Sequence, residues 1–181
     1  MATFWLQGVL PSWIHSIANS ASGWSLVAIT LVVLLTDDVR RGALIGVAAF
    51  LLLNIGYGVG ARIDGLYYDM RVWGVVAVIA GPVIGAASAV LRRRGLVSAL
   101  SHTMLGGLFV VEGARSLVTV QESTSSVYWA AVIVLGVGAI VRGVLRADST
   151  RDRLLTVAFA GLLAGATWGA GHALEASFHW L

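Results

Sequence analysis

The sequence predicts an all-α fold: a polytopic membrane helix bundle of about six transmembrane helices, preceded by a short N-terminal helical or re-entrant segment. Three observations carry this. Of the 181 residues, 58% are hydrophobic and 12% charged, where soluble domains run at roughly 45–50% and about 25%. The apolar residues fall into uncharged runs of about twenty, the length that crosses a bilayer. The twelve basic residues, all of them arginine, gather mostly between those runs.

Each element follows in order. The first 36 residues carry no charge, but Pro11 and "HSIANSASGW" interrupt them. Residues 3–18 therefore read as the short or re-entrant piece and 23–36 as the main part of a first spanning helix. "GALIGVAAFLLLNIGYGVGA" (42–61) and "VWGVVAVIAGPVIGAASAVL" (72–91) supply the second and third spans. Residues 95–120 span only if Glu112 and Arg115 lie inside, and 123–141 and 154–174 complete the set. Connections are short, so 1–181 reads as a single integral membrane domain. "GALIG", "GPVIG", "GLLAG" and "GATWG" are small-xxx-small patterns that let helices approach closely in lipid, and they leave homo-oligomerisation open. "GYGVG" (56–60) follows no strand, so it reads as packing rather than as a phosphate loop. Pro82, inside its span, is expected to kink it.

Arginine placement predicts orientation. Arg40 and Arg41, then Arg92, Arg93 and Arg94, then Arg142, Arg146, Arg151 and Arg153 occupy alternate connections. The positive-inside rule makes that face cytoplasmic, in a multi-pass cell-membrane protein with both chain ends outside. Because the formal charge of +3 resides in these loops, it is no nucleic-acid footprint. No basic region precedes the first apolar stretch, so a cleaved signal peptide is not expected. The absence of cysteine removes disulfides, iron–sulfur clusters and thiolate metal sites.

The remaining polar groups converge on the opposite side. Asn54, Gly58 and Arg62 share one helix face, with Tyr57 beside it. Glu112 and Arg115 sit in the outer half of the fourth span, Trp168, His172, Glu175 and His179 end the sixth, and Trp13, His15, Asn19 and Trp24 arrive from the N-terminal segment. This predicts a polar, aromatic-walled cavity opening outward or into the outer leaflet. Glu112 and Arg115, at i and i+3, also read as a self-neutralising pair. A charge in hydrocarbon costs roughly 2.5–3.5 kcal/mol on insertion scales, however, and ionisable residues there usually line a site. His172, Glu175 and His179 lack the tight spacing of zinc hydrolases, so no metal is expected. Asp64 and Asp69 read as loop acids able to close over the cavity. Trp5, Trp13, Trp73, Trp129 and Trp180 fall near span ends, as interfacial belt residues do. Trp24, Tyr57, Tyr67, Tyr68 and Trp168 are the candidates for a cavity wall.

"LQGVLPSW" (6–13), "IANSASGWSLVA" (17–28), "NIGYGVGARIDG" (54–65), "VWGVVAVIAGPVIGAA" (72–87) and "VVEGAR" (110–115) resemble a family of small actinobacterial membrane proteins of uncharacterised function. The chain also resembles bacterial membrane-bound terpene cyclases that fold farnesylated indole-diketopiperazines into drimane-type products. That likeness implies a cofactor-free enzyme that protonates a prenyl alkene or epoxide, acting on a lipophilic prenylated substrate drawn from the bilayer. Glu112 is then the acid, Asp64 or Asp69 its helper, and Arg115 or Asn54 sets its hydrogen bonding. Trp24, Tyr57, Tyr68 and Trp168 stabilise the cations, and His172 joins the substrate-binding group. Size, span count and an outward cavity fit equally the substrate-binding membrane component of a vitamin-type transporter.

Overall fold

A computed structural model describes residues 10–119 and 124–178, with Asn19 and residues 167–178 described by backbone alone. Six α-helices follow a short 3-10 helix, His15–Asn19, and there is no strand among the described residues. In chain order the helices are α1 (Ala21–Leu35), α2 (Val39–Ile63), α3 (Met70–Ala89), α4 (Leu96–Thr119), α5 (Ser126–Arg146) and α6 (Thr150–Phe178). Short polar residues open them. Asp38 accepts the Arg41 N–H ahead of α2, Asp69 the Arg71 and Val72 N–H groups ahead of α3, and Ser125 that of Val127 ahead of α5. Gly65, with φ 71°, makes the turn after α2.

α2, α3, α4 and α5 are each long and apolar enough to cross a membrane, whereas α1 is a shorter apolar helix. Its 15 residues reach about 22 Å at ~1.5 Å per residue, less than the hydrocarbon thickness of ~30 Å. The run at 23–36, expected to be the main part of a first span, falls in this shorter helix, whose own length is below that thickness. Pro82 interrupts hydrogen bonding within α3, yet the helix continues through it from Met70 to Ala89.

The helices form two antiparallel hairpins, α2–α3 and α4–α5. Glycines set the first. Gly42 and Gly46 face Gly81 and Gly85 so closely that a methyl on Gly46 would run into the Gly81 carbonyl oxygen, and one on Gly85 into that of Gly42. In the second, a Cβ on Gly106 would lie 2.5 Å from the Gly136 carbonyl oxygen, and Gly143 packs as tightly on the Ala99 carbonyl. With lipid as solvent no hydrophobic effect drives helices together, so backbone proximity and the dispersion contacts it permits hold these crossings. Gly161 and Gly165 of α6, by contrast, have open space beside them among the described residues.

α1 lies against α2 and α3 and also reaches α4, so it joins the hairpins. Trp24 and Ala28 pack with Phe50, Ala77 and Ile84 in one core, while Phe109, Tyr128, Trp129 and Val132 make a second. Trp129, expected as a belt residue, is buried with its indole N–H on Thr124 Oγ1 at 2.8 Å, because it lies on the inward face of the first turn of α5. Trp13 is exposed, while Trp5 and Trp180 lie outside the described residues. At the arginine-rich end, Arg146 Nη1 donates to the Arg92 and Arg93 carbonyls, and Arg93 Nη2 to that of Asp37. These bonds tie three connections together.

Gly46→Ala is expected to destabilise the bundle by about 1–3 kcal/mol, the cost of overpacking, read as earlier thermal unfolding in detergent. Gly161→Ala, with free space and a better helix former, is expected to be neutral or to raise stability by up to about 1 kcal/mol.

Candidate functional site

The first N–H groups of a helix have no partner within the helix itself. In α1 side chains supply the acceptors. Ser20, its N-cap in extended conformation, accepts the Gly23 N–H on Oγ at 3.0 Å. The N–H groups of Ala21 and Ser22 go elsewhere: to Glu112 Oε1 at 2.7 Å and Oε2 at 2.6 Å. Glu112 arrives from α4, with seven residues, about 10 Å of helix, still to run before that helix ends at Thr119. Both carboxyl oxygens thus meet backbone donors in the first turn of α1. Tyr128 of α5 completes the junction, its hydroxyl 2.6 Å from Ser20 Oγ and 3.2 Å from Ser22 Oγ. Ser20 and Ser22 are buried, and Glu112 is half-buried.

Beside this junction lies a cavity of about 290 Å³, near the lower end of the roughly 300–1,000 Å³ of small-molecule pockets. Trp24 comes from α1, Phe50 and Tyr57 from α2, Tyr68 from the following loop, and Trp73 from α3. Ser20 supplies a hydroxyl at its edge. Trp24 is oriented by its indole N–H on the Ala18 carbonyl at 2.9 Å. Its ring centroid stands 6.0 Å from that of Tyr57, and Tyr57 stands 4.8 Å from Tyr68, both pairs tilted. Asn54, buried in α2, fixes Tyr68 from behind: its Oδ1 accepts the phenolic hydroxyl at 2.9 Å, and its Nδ2 donates to the Met70 carbonyl at 2.9 Å. One amide therefore spans the loop and the start of α3. Burial pushes the Tyr68 phenol up to about 12, and neighbouring Tyr57 adds to the rise.

The structure brings Trp24, Tyr57 and Tyr68 together around one cavity, with Asn54 behind them. Glu112 holds the backbone of Ala21, itself a lining residue. Arg115 is half-buried one helical turn further along α4. Asp69 serves as the α3 cap, and Asp64 is exposed just after α2. Trp168 and His172 lie on α6, where the backbone alone is described, and His179 falls outside the described residues. Among the described residues no cluster of three metal-ligating side chains occurs. The cavity wall is aromatic and largely apolar rather than polar, because the hydrophilic groups nearby bond one another or the backbone. Reading the sequence missed Ser20, Ser22, Tyr128 and Phe50, and placed Trp73 at the interface. "SxSGW" with a distant acid was a usable sign of a helix start, but nothing local marks Tyr128 as its partner.

A family model matches residues 1–176, and its description is "Family of unknown function (DUF6518)". The chain belongs to this family. No curated protein matches it, and no solved structure does.

Removing the carboxylate at position 112 should loosen the junction. Glu112→Gln replaces one acceptor with a donor facing an N–H, and a hydrogen bond to a charged group contributes about 1.5–3 kcal/mol. Unfolding in detergent should shift accordingly, with faster hydrogen exchange at Ala21 and Ser22; Tyr128→Phe should cost less.

The Tyr68 phenol gives a second expectation. The folded state holds it neutral, whereas an unfolded tyrosine ionises near pH 10. Its contribution to stability is therefore present below about pH 10 and lost as pH rises towards 12. Tyrosinate absorbance should show a late-titrating group that Tyr68→Phe removes.

Proposed function

We propose that the aromatic pocket binds the prenyl chain of a membrane-dissolved substrate and folds it for cyclisation through carbocations, as a cofactor-free terpene cyclase. The observation that carries this reading is the set of aromatic rings, Trp24, Phe50, Tyr57, Tyr68 and Trp73, around one small cavity in a membrane bundle. Such rings present negative faces to a cation, and an apolar pocket keeps water from quenching it. In the reaction, a proton adds to a terminal alkene or epoxide and leaves a tertiary cation. A neighbouring double bond then attacks that cation and closes a ring, and loss of a proton ends the sequence. Substrate and product have equal mass. Pocket shape contributes by holding the chain in the folded conformer.

Glu112 is assigned the proton donor in this reading, with Asp64 and Asp69 as the further acids and Arg115 as its neighbour. His172 and Trp168 extend the substrate group along α6. The arginine-rich end faces the cytoplasm and the pocket lies towards the other leaflet.

One observation favours a second reading, a membrane component that captures a small molecule without converting it, as in a vitamin-type transporter. Both oxygens of Glu112 are engaged by backbone N–H groups, which gives that carboxylate a structural task already.

Membranes containing the chain, incubated with a farnesylated indole, should yield an isomer of unchanged mass and shorter retention. Trp24→Ala should cut its formation by about tenfold or more, equivalent to ~1.4 kcal/mol of lost cation stabilisation. Glu112→Gln should abolish product while a folded bundle remains. Product that falls only in step with unfolding would remove Glu112 from the acid role. Unchanged substrate, with a small molecule copurifying, would favour the capture reading.

A further inference from the structure

The pocket is closed at one end and open on one side. Its end away from the arginine-rich loops is covered by the Tyr57–Tyr68 pair, which Asn54 secures. Its inner wall, Trp24, Phe50 and Ala77, is buried. The exposed lining residues are Ala21 on α1 and Trp73 and Val76 on α3, the last two 47% and 40% exposed. α1 and α3 are neighbours, and the exposed lining residues come from these two helices. Before Ala21 the chain turns into the 3-10 helix instead of continuing upward. Val76 is the seventh residue of α3, about 10 Å along a helix that crosses the membrane. The mouth therefore lies away from the end of a helix long and apolar enough to cross the membrane.

We propose that ligands reach the aromatic pocket sideways from the lipid, through the gap between the first turn of α1 and the Trp73–Val76 face of α3. This rests on the reading of the pocket as a prenyl site and narrows its ligand class to molecules dissolved among acyl chains, such as a polyisoprenoid alcohol or a farnesylated heterocycle. Ala21 and Val76 are the two posts of the opening, and the small size of both admits a linear chain. Trp73 forms the rim at the same edge.

The test uses the full chain in phosphatidylcholine vesicles and a farnesyl amine carrying a dansyl group, followed by energy transfer from tryptophan. Val76→Phe and Ala21→Leu narrow the gap from outside, so arrival of the probe should slow about tenfold, a barrier increase of ~1.4 kcal/mol. Release of bound probe into excess empty vesicles should slow as well, as it does when arrival and departure share one barrier. Val78→Phe, an exposed position away from the pocket, should leave the rate unchanged. At a fixed ratio of probe to lipid, dilution with buffer should not alter the rate. Wild-type rates in both narrowed variants, or a rate that follows the probe concentration in water, would overturn the lateral route.

If the wild-type chain takes up no probe, the prenyl reading fails, and the route is decided separately. Phospholipids with brominated acyl chains should then quench the share of emission that Trp73→Phe removes. Quenching of that share by water-borne iodide instead would overturn the lateral opening.

Discussion

The two hydrogen bonds from the first turn of α1 to the Glu112 carboxylate are the constraint on which the rest of this end of the bundle depends. In water a helix start can be left to the solvent. Within a bilayer each unmatched N–H costs several kcal/mol, so a short helix can begin there only if the protein brings its own acceptors. Ser20 provides one and Glu112 the others, and the same contact joins the α2–α3 side of the molecule to α4. The acid answers two needs at once. It accepts the first N–H groups of α1, and it ties that helix to α4.

The pocket is a consequence of that arrangement. The first turns of α3 pack on α2, with Met70 against Gly58 and Gly74 near Asn54, and beside the start of α1 the aromatic side chains fill the space only in part. Trp24, Tyr57 and Tyr68 form a tilted stack that leaves a cavity on its open side. The glycine crossing of α2 and α3 keeps their backbones too close to slide apart at the other end, which steadies the two walls.

Much of this was legible before any coordinates. Runs of about twenty uncharged residues identify the spans because lipid allows backbone groups no partner outside a helix. "GALIG" and "GPVIG" foretell the α2–α3 contact because only glycine permits that approach. Trp24, Tyr57 and Tyr68 were legible as a wall because they are aromatic residues on elements that reach the same end. The task of Glu112 was not. Its charge marks it as needing a partner, and Arg115 is the obvious one in sequence, yet the oxygens meet backbone N–H groups ninety positions away. Backbone donors carry no residue letter, so no spacing rule can point to them. Trp129 misled for a related reason: proximity to a span end suggests the interface, but which face of the helix it occupies depends on what packs there.

The sequence by itself determined the solvent this protein lives in, its helices, the crossing made by glycine, and the end at which arginine gathers, since all of these follow from local composition and periodicity. The tertiary structure alone decided that α1 is shorter than the other helices, that Glu112 of α4 accepts its first N–H groups, and that aromatic residues of α1, α2 and α3 line one cavity beside it. Those outcomes depend on the depth at which separate helices meet, a relation between distant parts of the chain that no single stretch of residues contains.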